Sequence, residues 1–269
     1  MLDKTQIHTA MTIAGSDSGG GAGLQADIKA FAANGVYGST VITAVTAQNT
    51  LGVHQVLDLP LDIIEAQIAA NLTDIGADVV KTGMLSSPEI IECVAENLAK
   101  YKNERLVVDP VMVAKGGASL ISETAIEVLK ETLIPMCTIV TPNAPEAGVL
   151  TGIEVLDLDS AREAAFNLVK MGASAAVVKG GHFDDGPATD VFYDGREFRT
   201  FTTRRIATDN THGTGCTFAS AIAAGVAKGE SLRDAVSNAK VYVTGAIKND
   251  FDIGSGHGPL NHFYEYWDL

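Results

Sequence analysis

The chain has 269 residues, 46% hydrophobic and 19% charged, with a formal net charge of −14. That is enough apolar sequence for a large core, and so acidic a chain excludes broad binding of nucleic-acid phosphates, although amides and a few focused lysines still suit a nucleotide. Cys93, Cys137 and Cys216 are too few and too scattered for a disulfide framework or a zinc site, and with no apolar leader in residues 1–9 and no run of about 18 apolar residues the expected setting is the cytoplasm, without a membrane segment.

In chain order, short apolar runs alternate with helical patterns. Residues 10–14 read as a strand, 15–23 as a glycine-rich loop and 24–34 as a helix closed by Gly35. A strand follows at 39–45. Asp62 with Glu65 suggests a capping box for a helix reaching about Leu72. Residues 79–81 read as a strand and Pro88 opens a helix. Strands at 106–109 and 139–141 end at Asp109 and Pro142. Ser160 with Glu163 predicts a helix start, the helix stopping near Gly172, and 175–179 is one more strand. A β-like stretch at 190–202 turns at Asp194-Gly195. Of two final helices, the second is capped by Ser231 and Asp234. It places Leu232, Ala235, Val236, Ala239, Val243, Ala246 and Ile247 on one face. Residues 250–269, rich in glycine, read as a loop and tail.

Continuous apolar strands between amphipathic helices predict an α/β fold, a mostly parallel sheet covered by helices on both faces, with residues 1–269 as a single domain. Ligands of such sheets bind beyond the carboxyl ends of the strands. Several strands end there in reactive or small residues: Gly15-Ser16-Asp17, Ala47-Gln48-Asn49, Lys81-Thr82-Gly83-Met84, Asp109-Pro110-Val111-Met112, Thr141-Pro142-Asn143 and Lys179-Gly180-Gly181. No Gly-x-x-x-x-Gly-Lys-[Ser/Thr] loop occurs, which excludes a Walker-type phosphate site.

The segment Asn210-Thr211-His212-Gly213-Thr214-Gly215-Cys216-Thr217 runs into a helix at 218–227. Two glycines allow a tight turn whose amides approach an anion, and the helix adds the positive end of its dipole. Charge developing on a transferred phosphoryl group would be stabilised there. A thiol at a helix start has a lowered pKa, so Cys216 is expected to take a proton from an attacking hydroxyl. Taken alone, the same motif fits a buried structural cysteine beside a glycine turn better.

These motifs, with Thr12-Ile13-Ala14-Gly15-Ser16-Asp17, Ser18-Gly19-Gly20-Gly21-Ala22-Gly23-Leu24-Gln25-Ala26-Asp27, Thr46-Ala47-Gln48-Asn49-Thr50, Asn143-Ala144-Pro145-Glu146 and Val178-Lys179-Gly180-Gly181-His182, carry a family likeness over residues 10 to 265. The chain resembles the hydroxymethylpyrimidine and phosphomethylpyrimidine kinases of thiamine biosynthesis, within the ribokinase-like superfamily. The resemblance implies a three-layer ribokinase-like sandwich. It also implies ATP-dependent phosphorylation of 4-amino-5-hydroxymethyl-2-methylpyrimidine to its monophosphate, and of the monophosphate to the diphosphate.

It further implies roles. Cys216 is the base, and the amides of Gly213, Thr214, Gly215 and Cys216 form the anion hole. Asp27 pairs with the amino and ring nitrogens of the pyrimidine, Gln48 reads the ring, and Gly15, Met84 and Val111 pack around it. Asn143 and Glu146 organise Mg²⁺ and phosphates, through water. Lys179 reaches the ATP phosphates, Thr211 lies at the nucleotide, and Lys115 folds over it from a flap. The family also leads one to expect a homodimer. Read singly, Asp27 is a solvated helix charge, Gln48 a turn residue, Glu146 an acid at a helix start, Lys179 a strand-end lysine, and Met84 and Val111 core residues; the ordered set changes those odds. His182, His212 and His257 lack metal-ligand spacing and read as loop or hydrogen-bonding residues.

Three other readings compete. A vitamin B6 kinase is the nearest, but that group carries a flap cysteine where Val113-Ala114-Lys115 stands here. A Cys216–His212 hydrolase leaves Asn143, Glu146 and Lys179 without a purpose. A non-catalytic pyrimidine sensor leaves the phosphate-side residues unexplained.

Overall fold

The computed structural model describes residues 7–113, 117, 120–181 and 186–267. Its strands are β1 (Thr9–Asp17), β2 (Tyr37–Asn49), β3 (Gly52–Asp58), β4 (Val79–Thr82), β5 (Leu106–Val108), β6 (Ile139–Val140), β7 (Ala176–Val178), β8 (Ala188–Tyr193) and β9 (Phe198–Thr203). Among the described residues they form one sheet in the order β3-β2-β1-β4-β5-β6-β7-β8-β9. From β2 to β7 the neighbours are parallel; β3 on β2, β8 on β7 and β9 on β8 are antiparallel.

Alternation along the strands divides the core. Met11 and Ile13 of β1, Val80, Val108 and Val140 face one layer, made by α2 (Leu61–Ala70), α3 (Pro88–Lys100), α4 (Glu123–Glu131), α5 (Leu133–Met136), α6 (Ala144–Thr151) and α7 (Leu158–Lys170). Ala10, Val79, Val107, Ile139 and Val177 face the other, made by α1 (Gly23–Ala33), α8 (Thr214–Ala227) and α9 (Leu232–Lys248). The result is the expected α/β sandwich of helix, sheet and helix.

Several boundaries differ from the sequence reading. The β2–β3 hairpin was not anticipated, because β3 is largely exposed and carries no apolar alternation. α2 starts at Pro60 with no side-chain cap, so Asp62 and Glu65 make no capping box; a single π-turn, Asn71–Ile75, carries the helix on. α7 is capped by Asp157 with Ser160, not by Ser160 with Glu163, because Asp157 accepts from the amides of Asp159 and Ser160. α8 begins four residues earlier than expected, at Thr214, which places Cys216 inside its first turn. α9 agrees with its predicted cap, Ser231 accepting from the Asp234 amide. No helix among the described residues is long and apolar enough to cross a membrane.

The tail is bonded into this frame. The His212 amide donates to the Gly258 carbonyl at 3.1 Å, and the His257 amide to the Thr50 carbonyl at 2.9 Å. Asn210 Oδ1 accepts from the Gly258 amide at 3.0 Å. Residues 256–258 therefore connect the tip of the β2–β3 hairpin to the turn before α8.

Candidate active site

A cavity of about 710 Å³ lies beyond the carboxyl ends of the parallel strands. β1 supplies Gly15 and Asp17, β2 Gln48, the loop after β4 Gly83 and Met84, and the loop after β5 Asp109 and Val111. Asn143 and Glu146 enter from the β6–α6 junction, Lys179 from the end of β7, and Thr211 to Cys216 from the head of α8. This is where a parallel sheet exposes its strand ends to a ligand.

The glycine loop after β1 already holds an anion of its own. The carboxylate of Asp17, 2% exposed, accepts from the amides of Gly19 at 2.8 Å, Gly21 at 3.0 Å and Ala22 at 2.8 Å. His212 Nε2 lies 2.9 Å from Asp17 Oδ2; the carboxylate accepts only, so that nitrogen carries the hydrogen. Burial opposes ionisation of Asp17, but His212 and the amides outweigh it and hold the pKa below the ordinary value. Gln48 Nε2 lies 3.3 Å from the same His212 nitrogen, and Thr46 Oγ1 donates to Gln48 Oε1 at 3.1 Å.

The turn before α8 sits against this loop. Gly213, the N-cap, has φ of +81°. A Cβ there would collide with the Gly21 carbonyl, and a Cβ on Gly21 would collide with the His212 ring. Only glycine meets both demands. The amides of Thr214, Gly215 and Cys216 form the first turn of α8 and have no partner within the helix. The Gly23 amide at the head of α1 also acts on the Cys216 sulfur, favouring its charged form. The heads of two helices thus converge on the thiol.

At the other end of the cavity, Asn143 Oδ1 accepts from the Glu146 amide at 2.9 Å and Glu146 Oε2 from the Asn143 amide at 2.8 Å, a reciprocal cap on α6. Lys179 Nζ lies 3.2 Å from Asp109 Oδ1, and a Cβ on Gly215 would stand 3.2 Å from that ammonium. Asp109 Oδ2 is buried with no hydrogen-bond partner among the described residues.

The phosphomethylpyrimidine kinase family model matches residues 17–261. The chain is 52% identical over 258 residues to the hydroxymethylpyrimidine/phosphomethylpyrimidine kinase of Bacillus subtilis (strain 168), covering 96% of this chain and 95% of that protein. The chain belongs to the phosphomethylpyrimidine kinase family.

A thiamine biosynthesis bifunctional protein of Geobacter sulfurreducens is also 52% identical, over 97% of this chain, which spans about half of that longer protein, 53% of its length. Among solved structures, an ADP complex of Bacillus subtilis pyridoxal kinase superposes with a TM-score of 0.90 at 40% identity, covering 96% of this chain and 98% of that one. The fold is ribokinase-like, and the protein is a kinase.

The cavity of this family member contains Gly15, Gln48, Met84, Val111, Asn143, Glu146, Lys179, Thr211, Gly213, Thr214, Gly215 and Cys216 together. Met84 packs under Gly15, where an added Cβ would stand 3.1 Å from its sulfur. Lys115 and His182 lie outside the described residues.

Two expectations need correction. Asp27 does not line the cavity. It is 0% exposed, and its carboxylate is taken by Lys81 Nζ at 3.0 and 2.9 Å, Thr12 Oγ1 at 2.6 Å and Ser220 Oγ at 2.7 Å, which leaves nothing for a pyrimidine. The Cys216 thiol is also not lowered in pKa. Burial pushes it up to about 12; Lys81 pulls the other way, and Asp27 and Asp109 add to the rise. The position at the head of a helix is overruled by enclosure.

Sequence reasoning named Lys81, Asp109, Asp17 and His212 within motifs but gave none of them a role in a kinase site, His212 entering only as the base of the competing hydrolase reading. Strand-end position was the available signal for Lys81 and Asp109. Nothing local marks the Asp17–His212 contact, which spans 195 positions.

Burial pushes the Glu146 carboxyl up to about 7, against the pull of Lys179 and with a further push from Asp109. Burial also works against the Lys179 ammonium, yet Asp109 and Glu146 outweigh it and raise its pKa. This corner holds two carboxylates and one lysine, a set suited to a cation and to phosphate oxygens.

Proposed function

We propose that this kinase transfers the terminal phosphate of ATP to the hydroxymethyl group of 4-amino-5-hydroxymethyl-2-methylpyrimidine, and in a second reaction to the resulting monophosphate. The observation that carries this reading is the meeting, in one cavity, of the Cys216 thiol with the backbone amides at the head of α8 and with Gln48. Gln48 offers both an amide donor and an acceptor to an aminopyrimidine edge. Gly15, Met84 and Val111 supply apolar walls for a ring.

In the first reaction Cys216 accepts or orients the proton of the alcohol as its oxygen attacks phosphorus. The O–H bond breaks, the new O–P bond forms, and the bond from phosphorus to the departing ADP oxygen breaks. The amides of Gly213 to Cys216 receive the equatorial oxygens, so charge is stabilised where it develops. Lys179 neutralises phosphate charge near Gly215. Thr211 borders the nucleotide, and Lys115 is proposed to cover it from the segment after Val113.

The donor set at Asp109 and Glu146 fits Mg²⁺. Asp109 Oδ2 is buried and unpaired, and no cluster of three or more His, Cys, Asp or Glu among the described residues forms a full metal cage. A hard cation that keeps most of its waters suits such a site. Asp109 and Glu146 would hold it, with Asn143 behind them, and it would neutralise phosphate charge. Asn143 and Glu146 spend their amides and part of their oxygens capping α6, which supports contact through water. As parts of the same reading, residues 1–269 act as one kinase domain in the cytoplasm, as a homodimer, without nucleic-acid or membrane partners.

A B6 vitamer is the second reading, favoured by the 40% identity to pyridoxal kinase. The deciding experiment measures ATP consumption and kcat/KM for the hydroxymethylpyrimidine, its monophosphate and pyridoxal. The proposal expects a clear preference for the two pyrimidines; a preference for pyridoxal would overturn it.

A further inference from the structure

Lys81 is the largest polar group sealed in this protein. It lies on β4, is 0% exposed, and pairs with Asp27, which is also 0% exposed. An isolated buried ammonium is costly, and a buried ion pair is often replaceable by apolar residues at no loss of stability. Stability alone therefore does not account for it.

Its surroundings point to the thiol. A Cβ on Gly83 would stand 2.8 Å from Lys81 Nζ, and Lys81, Gly83 and Cys216 all border the same cavity. Ser220, which bonds Asp27 at 2.7 Å, sits one helical turn after Cys216 on α8. The carboxylate thereby ties Lys81 to the helix that carries the thiol. Thr12 and Ser220 donate to that carboxylate as well, so its charge is spread over four hydrogen bonds, two of them from Lys81. Two cations act on Cys216, Lys81 and Lys179, against Asp27 and Asp109, and of the two lysines Lys81 exerts the stronger pull on the thiol.

We propose that Lys81 is a positioning residue of the phosphorylation: its buried ammonium, fixed by Asp27, stabilises the Cys216 thiolate that receives the proton of the substrate alcohol. This rests on the reading of Cys216 as base. Lys81 itself exchanges no proton. The alcohol O–H bond breaks, the S–H bond forms, and the oxygen keeps its electron pair for phosphorus. Asp27, no reader of the ring, is the anchor of this charge.

The test follows iodoacetamide alkylation of Cys216 at pH 8 to 9 by peptide mass spectrometry, which resolves Cys93 and Cys137 separately, alongside kcat and KM for the hydroxymethylpyrimidine. Lys81→Met leaves Asp27 unpaired, and Asp27 itself raises the Cys216 pKa, so D27N/K81M is compared with Asp27→Asn, from which it differs only at Lys81, with folding checked by circular dichroism. The proposal expects Cys216 alkylation to be about 10-fold or more slower in folded D27N/K81M than in folded Asp27→Asn, one pKa unit being tenfold in thiolate. It expects kcat to fall by at least as much with KM little changed, and Lys81→Arg to restore part of both. Equal alkylation rates in folded D27N/K81M and Asp27→Asn would overturn the proposal while leaving the base role of Cys216 intact. A slowed alkylation with unchanged kcat would instead overturn the base role, and with it any part for Lys81 in the reaction.

Discussion

Asp17 Oδ2 and His212 Nε2 meet at 2.9 Å, joining the loop after the first strand to the turn before α8. The glycine loop and helix head beside them form the kind of amide nest that usually holds a phosphate. Here the chain fills it with its own carboxylate. The phosphoryl site is left to the second glycine turn, at Gly213, which the Asp17–His212 contact holds against the first.

Replacing Asp17 by Asn keeps the shape but removes the charge that three amides and His212 share. The expected loss is about 1–3 kcal/mol of stability, read as a lower urea midpoint. A fall in kcat/KM for the pyrimidine should accompany it as the two loops loosen. A variant with both quantities unchanged would show that the contact positions nothing.

Gly213→Ala adds a side chain at a φ of +81° and drives it into the Gly21 carbonyl. The amides at the head of α8 should move out of register with the transferring phosphoryl. Loss of one oxyanion donor typically costs about 10²–10³ in rate, and a kcat at least 10²-fold lower is expected. Steady-state kinetics on a variant shown to be folded checks this.

His262 predicts how stability depends on pH. It is buried, lies 2.9 Å from Thr217 Oγ1 in α8, and burial lowers its pKa from 6.5 to about 4. The unfolded chain therefore binds a proton that the folded one refuses. Its contribution is fully present above pH 6.5 and is lost as pH falls toward 4, at roughly 1.4 kcal/mol per pH unit across that window. Urea midpoints measured from pH 7 to 4 should fall more steeply for the wild type than for His262→Gln.

Much of this architecture was legible because parallel strands buried on both faces are written as continuous apolar runs, as at Val79-Val80 and Val107-Val108. The strand-end loops could be found for the same reason. Other features depend on space, not on pattern. β3 is an exposed edge strand and carries no apolar signature. Asp27 looked like a helix-surface acid because helical periodicity does not reveal that a lysine on β4 and a serine on α8 enclose it. The thiol at a helix start suggested acidity, and only the enclosed surroundings of Cys216 reverse the sign. The tail from Asp250 read only as a loop, since its bonds to Thr50, Asn210 and His212 are not visible in the sequence.

Glu146 makes Mg²⁺ dependence sensitive to pH. With its carboxyl pushed up to about 7, the charged form that attracts the cation grows as pH rises through neutrality. The Mg²⁺ concentration needed for half-maximal activity should drop between pH 6 and 8, approaching about tenfold per unit on the acid side. Asp109 and Lys179 face the same group and remain in Glu146→Gln, which should show a weaker and flatter Mg²⁺ dependence.

The central claim concerns a proton. The alcohol must lose one before it can take phosphorus, whereas the monophosphate presents an oxygen that is already ionised. Cys216→Ala should therefore lower kcat for the hydroxymethylpyrimidine by about 10²–10⁴-fold, the usual worth of a general base, and lower kcat for the monophosphate far less. Equal losses on the two substrates, measured side by side in the same preparation, would contradict the account.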